Sequence, residues 1–375
     1  MLSSALLLSQ NESDSKTSKK KSSITNKGKS LQLNGKDGPY IIGDTLFVVT
    51  AENKLIGTPR FRRDSLVVRV DNSHDDEFYL TLHKDYEVPK SVHKESEKMI
   101  VISDIEGNFN AFSSFLYANK VIDEEHNWIY GNGKLVLVGD FVDRGKNVTQ
   151  VLWLIYNLDH QAKKAGGMVH FILGNHEVMN FHGDFRYNLG KYIRVAQDIS
   201  RQGDEKEAIK YLYSKNSELG KWLASKNIIE KIGDYLFVHA GLSPELLAFK
   251  LSLKDINAKV RKQYFGFEDN LDKSTQFLYG RLGPFWYRGL VTSTKRYSQI
   301  DEDQLDDLLD YYDAKKIVIG HTVVKTISSD FDGKIIRTDV KHGDKKFSGK
   351  TQGLLIEDGD EYIVDAKGSK TELED

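Results

Sequence analysis

Short, largely apolar runs, each closed by a cluster of polar residues, recur through the middle of this 375-residue chain. They are Met99-Ile100-Val101-Ile102, Leu135-Val136-Leu137-Val138, Val169-His170-Phe171-Ile172-Leu173, Tyr235-Leu236-Phe237-Val238 and Lys316-Ile317-Val318-Ile319. Runs this brief, rich in Val, Ile and Leu, predict buried strands that run into loops. Between them the apolar period changes to that of helices. Val148, Val151, Leu152, Ile155 and Leu158 share one face of a helix predicted over 147–165, and further helices are predicted over 109–119 and 301–313. A longer, largely helical insertion is expected over about 189–231, where the stripe of Ala208, Tyr211, Leu212, Leu219, Trp222 and Leu223 reads as core packing.

Both flanks are β-like. Tyr40-Ile41-Ile42, Thr45-Leu46-Phe47-Val48-Val49, Ser65-Leu66-Val67-Val68-Arg69-Val70 and Phe78-Tyr79-Leu80-Thr81-Leu82 are separated by Asp, Asn and Gly turns, which predicts an accessory β region over 37–97. Near the end come Lys334-Ile335-Ile336-Arg337-Thr338, Gly353-Leu354-Leu355-Ile356-Glu357 and Glu361-Tyr362-Ile363-Val364-Asp365, the last two joined by a predicted Asp358-Gly359 hairpin turn. The expected division is a tail or linker over 1–36, the accessory region, a catalytic domain over 98–368 and a tail over 369–375.

The polar clusters carry the chemistry. In chain order they are Ser103-Asp104-Ile105-Glu106-Gly107-Asn108, Gly139-Asp140-Phe141-Val142-Asp143-Arg144-Gly145, Gly174-Asn175-His176-Glu177, Val238-His239-Ala240-Gly241 and Gly320-His321-Thr322. Each follows a strand, and in open α/β sheets that edge is where ligands bind. Asp, Asn and His together make a mixed oxygen and nitrogen donor set, suited to borderline divalent metals rather than to calcium. Gly283-Pro284-Phe285-Trp286-Tyr287-Arg288-Gly289 adds an arginine in a loop, able to meet an anion bidentately. The residues alone therefore read as a metal-dependent hydrolase.

Composition narrows this. Lys and Arg number 53 against 55 Asp and Glu, a net charge of −2, so no basic surface points to nucleic acid or membrane. No run approaches the length of a transmembrane helix. The absence of cysteine excludes disulfides, thiolate ligands and a cysteine nucleophile. Near the N-terminus, Ser3-Ser4-Ala5-Leu6-Leu7-Leu8-Ser9 reads either as a fragment of a signal-peptide apolar core or as a cytoplasmic tail. It lacks a preceding basic region, which tips the expectation toward a cytoplasmic chain over an exported one. The polar residues that follow, to about 30, predict a tether.

The ordered motifs resemble those of the calcineurin-like metallophosphoesterases, and within them the phosphoprotein phosphatases. Gly174-Asn175-His176-Glu177-Val178-Met179-Asn180, Gly183-Asp184-Phe185-Arg186-Tyr187, Pro284-Phe285-Trp286 and Gly320-His321-Thr322 are similar to the Shewanella-like branch in particular. The resemblance covers roughly 99–339. It implies an α/β sandwich of two mixed sheets flanked by helices. It also implies two divalent ions per chain, manganese or iron, with zinc an alternative, and hydrolysis of phosphate monoesters by a metal-bound hydroxide. Asp140 is carried over as the bridging ligand, with Asp104 and Glu106 completing the first ion's set and Asn175, His239 and His321 holding the second. His176 resembles the general acid, Asp143 the carboxylate that orients it, and Arg144 and Arg288 the pair that forks onto phosphate. Structural readings compete: Arg144 as an ion-pair partner of Glu177, and Arg288 as a helix cap. Glu177 reads as a brace for its loop, and Asp184, Arg186 and Tyr187 as shapers of the substrate entrance. His126, His160, His182 and His342 read as ordinary surface or supporting histidines.

One departure stands out. Glu106 occupies the place of the family's histidine, and Ser103 that of its glycine. As a ligand, Glu106 gives the first ion an anionic oxygen in place of a neutral nitrogen, which favours harder ions. The expected substrates are phosphorylated Ser, Thr or Tyr side chains of proteins. A small-molecule or nucleotide phosphatase or pyrophosphohydrolase is the alternative enzyme, and an inactive phosphate-binding module the alternative of another class. Oligomeric state is not legible.

Overall fold

Successive side chains of the central strands go to two different cores, and that alternation sets the architecture. In a computed structural model, which describes residues 31–374, Met99, Val101, Val136, Val138, Phe237, Val318, Ile336 and Leu354 meet in one buried layer. Their neighbours Ile100, Ile102, Leu135, Leu137, Leu236, Ile317 and Ile335 point the other way, into a second core shared with helices. The signal-like N-terminal segment lies outside the described residues.

The chain begins with β1 (Asp37–Ile42), β2 (Thr45–Val49) and β3 (Leu55–Pro59), followed by β4 (Leu66–Arg69), β5 (Glu77–Leu80) and β6 (Val92–His93). Next come β7 (Lys98–Ile102), α1 (Phe109–Ala118), β8 (Lys134–Val138), α2 (Val148–Lys164), β9 (Met168–Ile172) and α3 (Asn175–Phe181). Helices α4 (Gly190–Ser200), α5 (Glu205–Leu212) and α6 (Glu218–Leu223) lead to β10 (Ile229–Ile232) and β11 (Tyr235–Val238). Then α7 (Leu253–Arg261), α8 (Lys273–Tyr279) and α9 (Glu302–Tyr312) precede β12 (Lys316–Ile319), β13 (Ser328–Asp330) and β14 (Ile335–Arg337). The last strands are β15 (Gln352–Glu357), β16 (Asp360–Asp365) and β17 (Lys370–Glu372).

Two six-stranded mixed sheets result, in the orders β17-β16-β15-β7-β8-β9 and β13-β14-β12-β11-β10-β6. Strands β7, β8 and β9 run parallel, as do β11, β12 and β14. Their carboxyl ends therefore open on one side. The β15–β16 turn places Asp358 and Gly359 at φ 54° and 91°, the twist that a two-residue hairpin of this type requires.

Three expectations change. The chain end over 369–375, expected as a tail, contains β17, which pairs antiparallel with β16, and Leu373 is buried. The last residues of the expected helical insertion form β10, because Ile229 to Ile232 pair with Tyr235 to Val238 across a turn at Gly233, whose φ is 57°. The region expected as an accessory unit also supplies β6, which joins the second sheet beside β10. Strands β4 and β5 pack onto the helix-facing core, where Leu66, Val68, Phe78 and Leu80 share a cluster with Phe109, Phe112 and Trp153, while Tyr40, Ile42 and Val49 of β1 and β2 pack against α4 and α5. The Trp153 indole N–H donates to the Pro39 carbonyl at 2.7 Å.

Candidate active site

The sequence candidates converge because they sit on the ends of neighbouring parallel strands. Asp104 and Glu106 follow β7, Asp140, Asp143 and Arg144 follow β8, and Asn175 and His176 open α3 after β9. From the other sheet, His239 follows β11 and His321 follows β12. A cavity of about 990 Å³ at this edge is lined by Asp104, Glu106, Asp140, Arg144, Asn175, His176, Arg288 and His321, among others.

The backbone here is held in an uncommon conformation. Asp104, Glu106, Asp140, Asp143, Arg144 and His321 all have positive φ, between 46° and 73°. Such geometry costs of order 1–3 kcal/mol per residue and persists only where neighbours over-determine it. Close approach adds to the constraint. A Cβ on Gly139 would lie 2.3 Å from His239 Nδ1, and one on Gly174 would lie 2.2 Å from Asp140 Oδ1. Glu177 ties these loops together. Its buried carboxylate accepts backbone N–H bonds from Asp140 (3.0 Å), Phe141 (2.8 Å), Val142 (3.3 Å) and Gly174 (2.8 Å). The brace reading of Glu177 therefore holds, and Arg144 is not its partner.

The donor atoms fit a pair of cations. One atom each from Asp140, His239 and His321 lies within 4.8 Å of the others, and so does one each from Glu106, Asp140 and His176. His239 Nδ1 lies 2.9 Å from the Val138 carbonyl, which assigns the ring proton to that nitrogen. Its Nε2 then presents a lone pair to Asp140 Oδ2 and Asn175 Oδ1, each 3.0 Å away. Three acceptors facing one another need a proton or a metal between them. His321 Nε2 is buried with no hydrogen-bond partner, as suits a nitrogen that ligates a metal. Burial and then Asp339 and Asp140 push the Asp104 carboxyl up, and burial pushes Glu106 up to about 7 against the pull of Arg144. This crowding of carboxylates is what a bound cation relieves.

Around these atoms stand groups suited to an anion and a proton. His176 Nδ1 donates to Asp143 Oδ2 at 2.7 Å, and Asp143 is fixed in turn by the amides of Asn180 and Asn188. Burial lowers the His176 pKa, but Asp140 and Asp143 outweigh it and raise it to about 9. The Tyr187 ring lies 4.8 Å from His176 and 5.0 Å from the Arg144 guanidinium. Arg288 Nη1 donates to the His321 carbonyl (2.7 Å) and the Thr322 hydroxyl (3.0 Å), so it braces the β12 loop rather than capping a helix.

Some relations were not legible in the sequence. Arg144 makes an ion pair with Glu106. His176 belongs to a possible donor group as well as to the acid position. Asp104 joins neither three-atom group; its carboxylate is held instead by the His321 N–H at 3.1 Å. Asp339 was missed altogether. It is buried, lines the cavity and follows β14, whose Arg337 pairs with Ile319 just before His321. Its signal was the same strand-then-carboxylate pattern, Ile335-Ile336 to Asp339, interrupted by Arg337. His126 and His182 are buried, and the half-buried His342 lines the cavity wall with Nε2 2.8 Å from the Ser103 carbonyl.

Residues 98–325 match the calcineurin-like phosphoesterase family. The chain belongs to that family. Within it, the Shewanella-like phosphatase branch is the one it joins. The chain is 31% identical to a cold-active protein-tyrosine phosphatase of a psychrophilic Shewanella species, whose crystal structure it matches with a TM-score of 0.79, over 91% of this chain and 100% of that one. It is 33% identical over 229 residues to Shewanella-like protein phosphatase 1 of Plasmodium berghei, spanning 60% of this chain and 61% of the relative. Shewanella-like protein phosphatase 2 of Arabidopsis thaliana is 25% identical over 299 residues, 68% and 73% of the two chains. The Shewanella match extends well beyond 98–325, so this phosphoesterase's flanking strands are shared with it. A dinuclear divalent metal centre is what the family implies.

Replacing Glu177 by Gln turns one acceptor toward N–H groups into a donor. The variant is expected to lose about 1–3 kcal/mol, the worth of a buried unsatisfied group, read as a lower urea midpoint at unchanged slope. An unchanged midpoint would show that the loops hold without this carboxylate.

Proposed function

We propose that this phosphoesterase is a metal-dependent phosphatase acting on phosphate monoesters, with phosphorylated Ser, Thr or Tyr side chains of proteins as its substrate class. The single observation that carries this reading is the meeting, in one cavity, of buried donors that require cations with an imidazole pre-oriented by Asp143 and two guanidinium side chains. The phosphatase names printed for the Shewanella, Plasmodium and Arabidopsis relatives support a phosphoprotein substrate.

Asp104, Glu106 and Asp140 would hold one ion, and Asp140, Asn175, His239 and His321 the other. The imidazole, amide and carboxylate set suits manganese or iron, with zinc as the alternative. Bound there, such ions neutralise phosphoryl oxygens and activate a water for attack. The chain's own groups do the rest. Arg144 and Arg288 fork onto the non-bridging phosphoryl oxygens and orient the ester. His176, its Nδ1 held by Asp143, would keep a proton at Nε2 for the leaving oxygen. The Tyr187 ring keeps that imidazole and Arg144 in register. Glu106 was the sole ground for an inactive module, yet its carboxylate lies in the same donor group as Asp140 and His176, where a ligand would stand.

Purified protein should hydrolyse an aryl phosphate, lose that activity on exhaustive chelation and regain it better with manganese than with magnesium, since imidazole ligands disfavour magnesium. Undiminished turnover by metal-free protein would refute the proposal.

His176→Asn should leave metal content near that of the parent and lower the rate by about 10²–10⁴, the usual worth of a general acid. Comparing good with poor leaving groups tests the role. The loss should shrink for the good ones, and an equal loss on both would count against acid catalysis.

Glu106→Ala should lose one ion per chain while Asn175, His239 and His321 keep the other. Glu106→His should retain both and shift preference toward zinc. Metal analysis finding both ions in the alanine variant at parental affinity would remove Glu106 from the ligand set.

A further inference from the structure

A third group of donor atoms lies away from the cavity, at the edge where the two sheets approach each other. Its members come from three strands: His93 on β6, His170 on β9 and Glu230 on β10. His170 Nδ1 is 2.7 Å from Glu230 Oε2, and His93 Nε2 is 3.2 Å from the same oxygen. The Lys90 carbonyl oxygen lies 2.8 Å from His93 Nε2. One atom from each of the three side chains falls within 4.8 Å of the others, the same closeness found in the two groups around Asp140. The two imidazole rings cross at 87°, which turns one nitrogen of each toward a single carboxylate oxygen instead of stacking the rings.

Burial makes this more than a surface coincidence. The side chains of His170 and Glu230 are 0% and 1% exposed, while His93 at 12% leaves a way in from solvent. A buried carboxylate needs a cation, and the groups bonded to this one are two imidazoles and an amide. The nearby Lys134 ammonium donates to the Lys94 carbonyl at 2.6 Å. The second carboxylate oxygen is fixed by Asn227 Nδ2 at 2.7 Å, and that amide also donates to the Pro89 and Lys90 carbonyls. Outer hydrogen bonds that hold a ligand's orientation are the usual companions of a metal site.

We propose that His93, His170 and Glu230, with the Lys90 carbonyl, form a further divalent transition-metal site of the zinc type, separate from the catalytic pair. Tetrahedral ligands at about 2.0–2.2 Å from zinc stand about 3.3–3.6 Å apart, so the observed spacings need open by less than an ångström. The ion would clamp the sheets at their seam. From His170 on β9 the chain reaches Asn175 five residues later, at the start of α3, and Glu230 pairs with Phe237, two residues before His239. The clamp thus holds in place two strands that deliver candidate catalytic ligands. It does not depend on what the cavity hydrolyses.

The full chain, stripped by chelation and titrated with Co²⁺, should bind one equivalent more than the His93→Gln variant. The missing equivalent should carry the visible absorption of four-coordinate cobalt. With Zn²⁺ present, the thermal midpoint of the folded variant should fall by several degrees below the parent's, and the two should converge once chelated. Equal equivalents and equal spectra would overturn the site and leave a hydrogen-bonded His–Glu–His network. Should His93→Gln not fold, zinc-edge anomalous diffraction from the parent chain decides: a peak between the three side chains supports the site, and none there beside an occupied catalytic pair overturns it.

Discussion

The arrangement rests on one buried carboxylate that touches no substrate. Glu177 gathers the N–H groups of Asp140, Phe141, Val142 and Gly174. Those donors belong to the loops after β8 and β9, so a single side chain fixes the relative position of the two segments that carry Asp140, Asp143, Arg144, Asn175 and His176. A loop held only by its own backbone would relax out of the left-handed conformation that Asp140, Asp143 and Arg144 adopt. Convergent N–H bonds to one charged acceptor offset that cost, because charge-assisted hydrogen bonds are stronger than neutral ones.

The electrostatics of the same site favours a cation. Asp104, Glu106, Asp140 and Asp339 crowd one buried region, and burial pushes the Asp339 carboxyl up to about 6, against the pull of His239. Burial then pushes the His321 imidazole down and His239 adds to that, so His321 keeps a free lone pair. The two trends complement each other: carboxyl groups crowded by burial and by one another lie beside an imidazole nitrogen with no hydrogen-bond partner. A divalent ion held among them would meet both at once.

Much of this was legible in the chain. The five apolar runs became β7, β8, β9, β11 and β12, and their parallel alignment turned five separated motifs into one edge. What was missed has physical reasons. β6, β10 and β17 are short, and their pairing partners lie far away in sequence or across a turn, so local pattern could not distinguish them from a helix end or a tail. Asp339 was hidden because Arg337 broke the apolar run before it. The Glu106–Arg144 pair joins two motifs 38 residues apart, and only the fold brings them together. His170 lies within a run read as a core strand, yet its neighbours in space, His93 and Glu230, come from regions assigned to an accessory unit and to a helical insertion.

That misassignment bears on how the fold is divided. A strand from the N-terminal region forms the outer edge of the second sheet, the Trp153 indole bonds to Pro39, and the buried Lys191 ammonium meets Asp37 at 2.6 Å. Lys191 lies on α4, which follows the loop carrying Tyr187. The Tyr192 hydroxyl on the same helix accepts from the Val148 N–H at the start of α2, the helix that follows the second motif. Contacts from β1 therefore reach, through α4 and α2, the two segments that set the Tyr187 ring against His176 and Arg144. The N-terminal strands do more than cover apolar surface: they brace the wall of the cavity from behind. An alteration at Asp37 or Trp153, far from any candidate ligand, acts on the same loops that Glu177 holds from within.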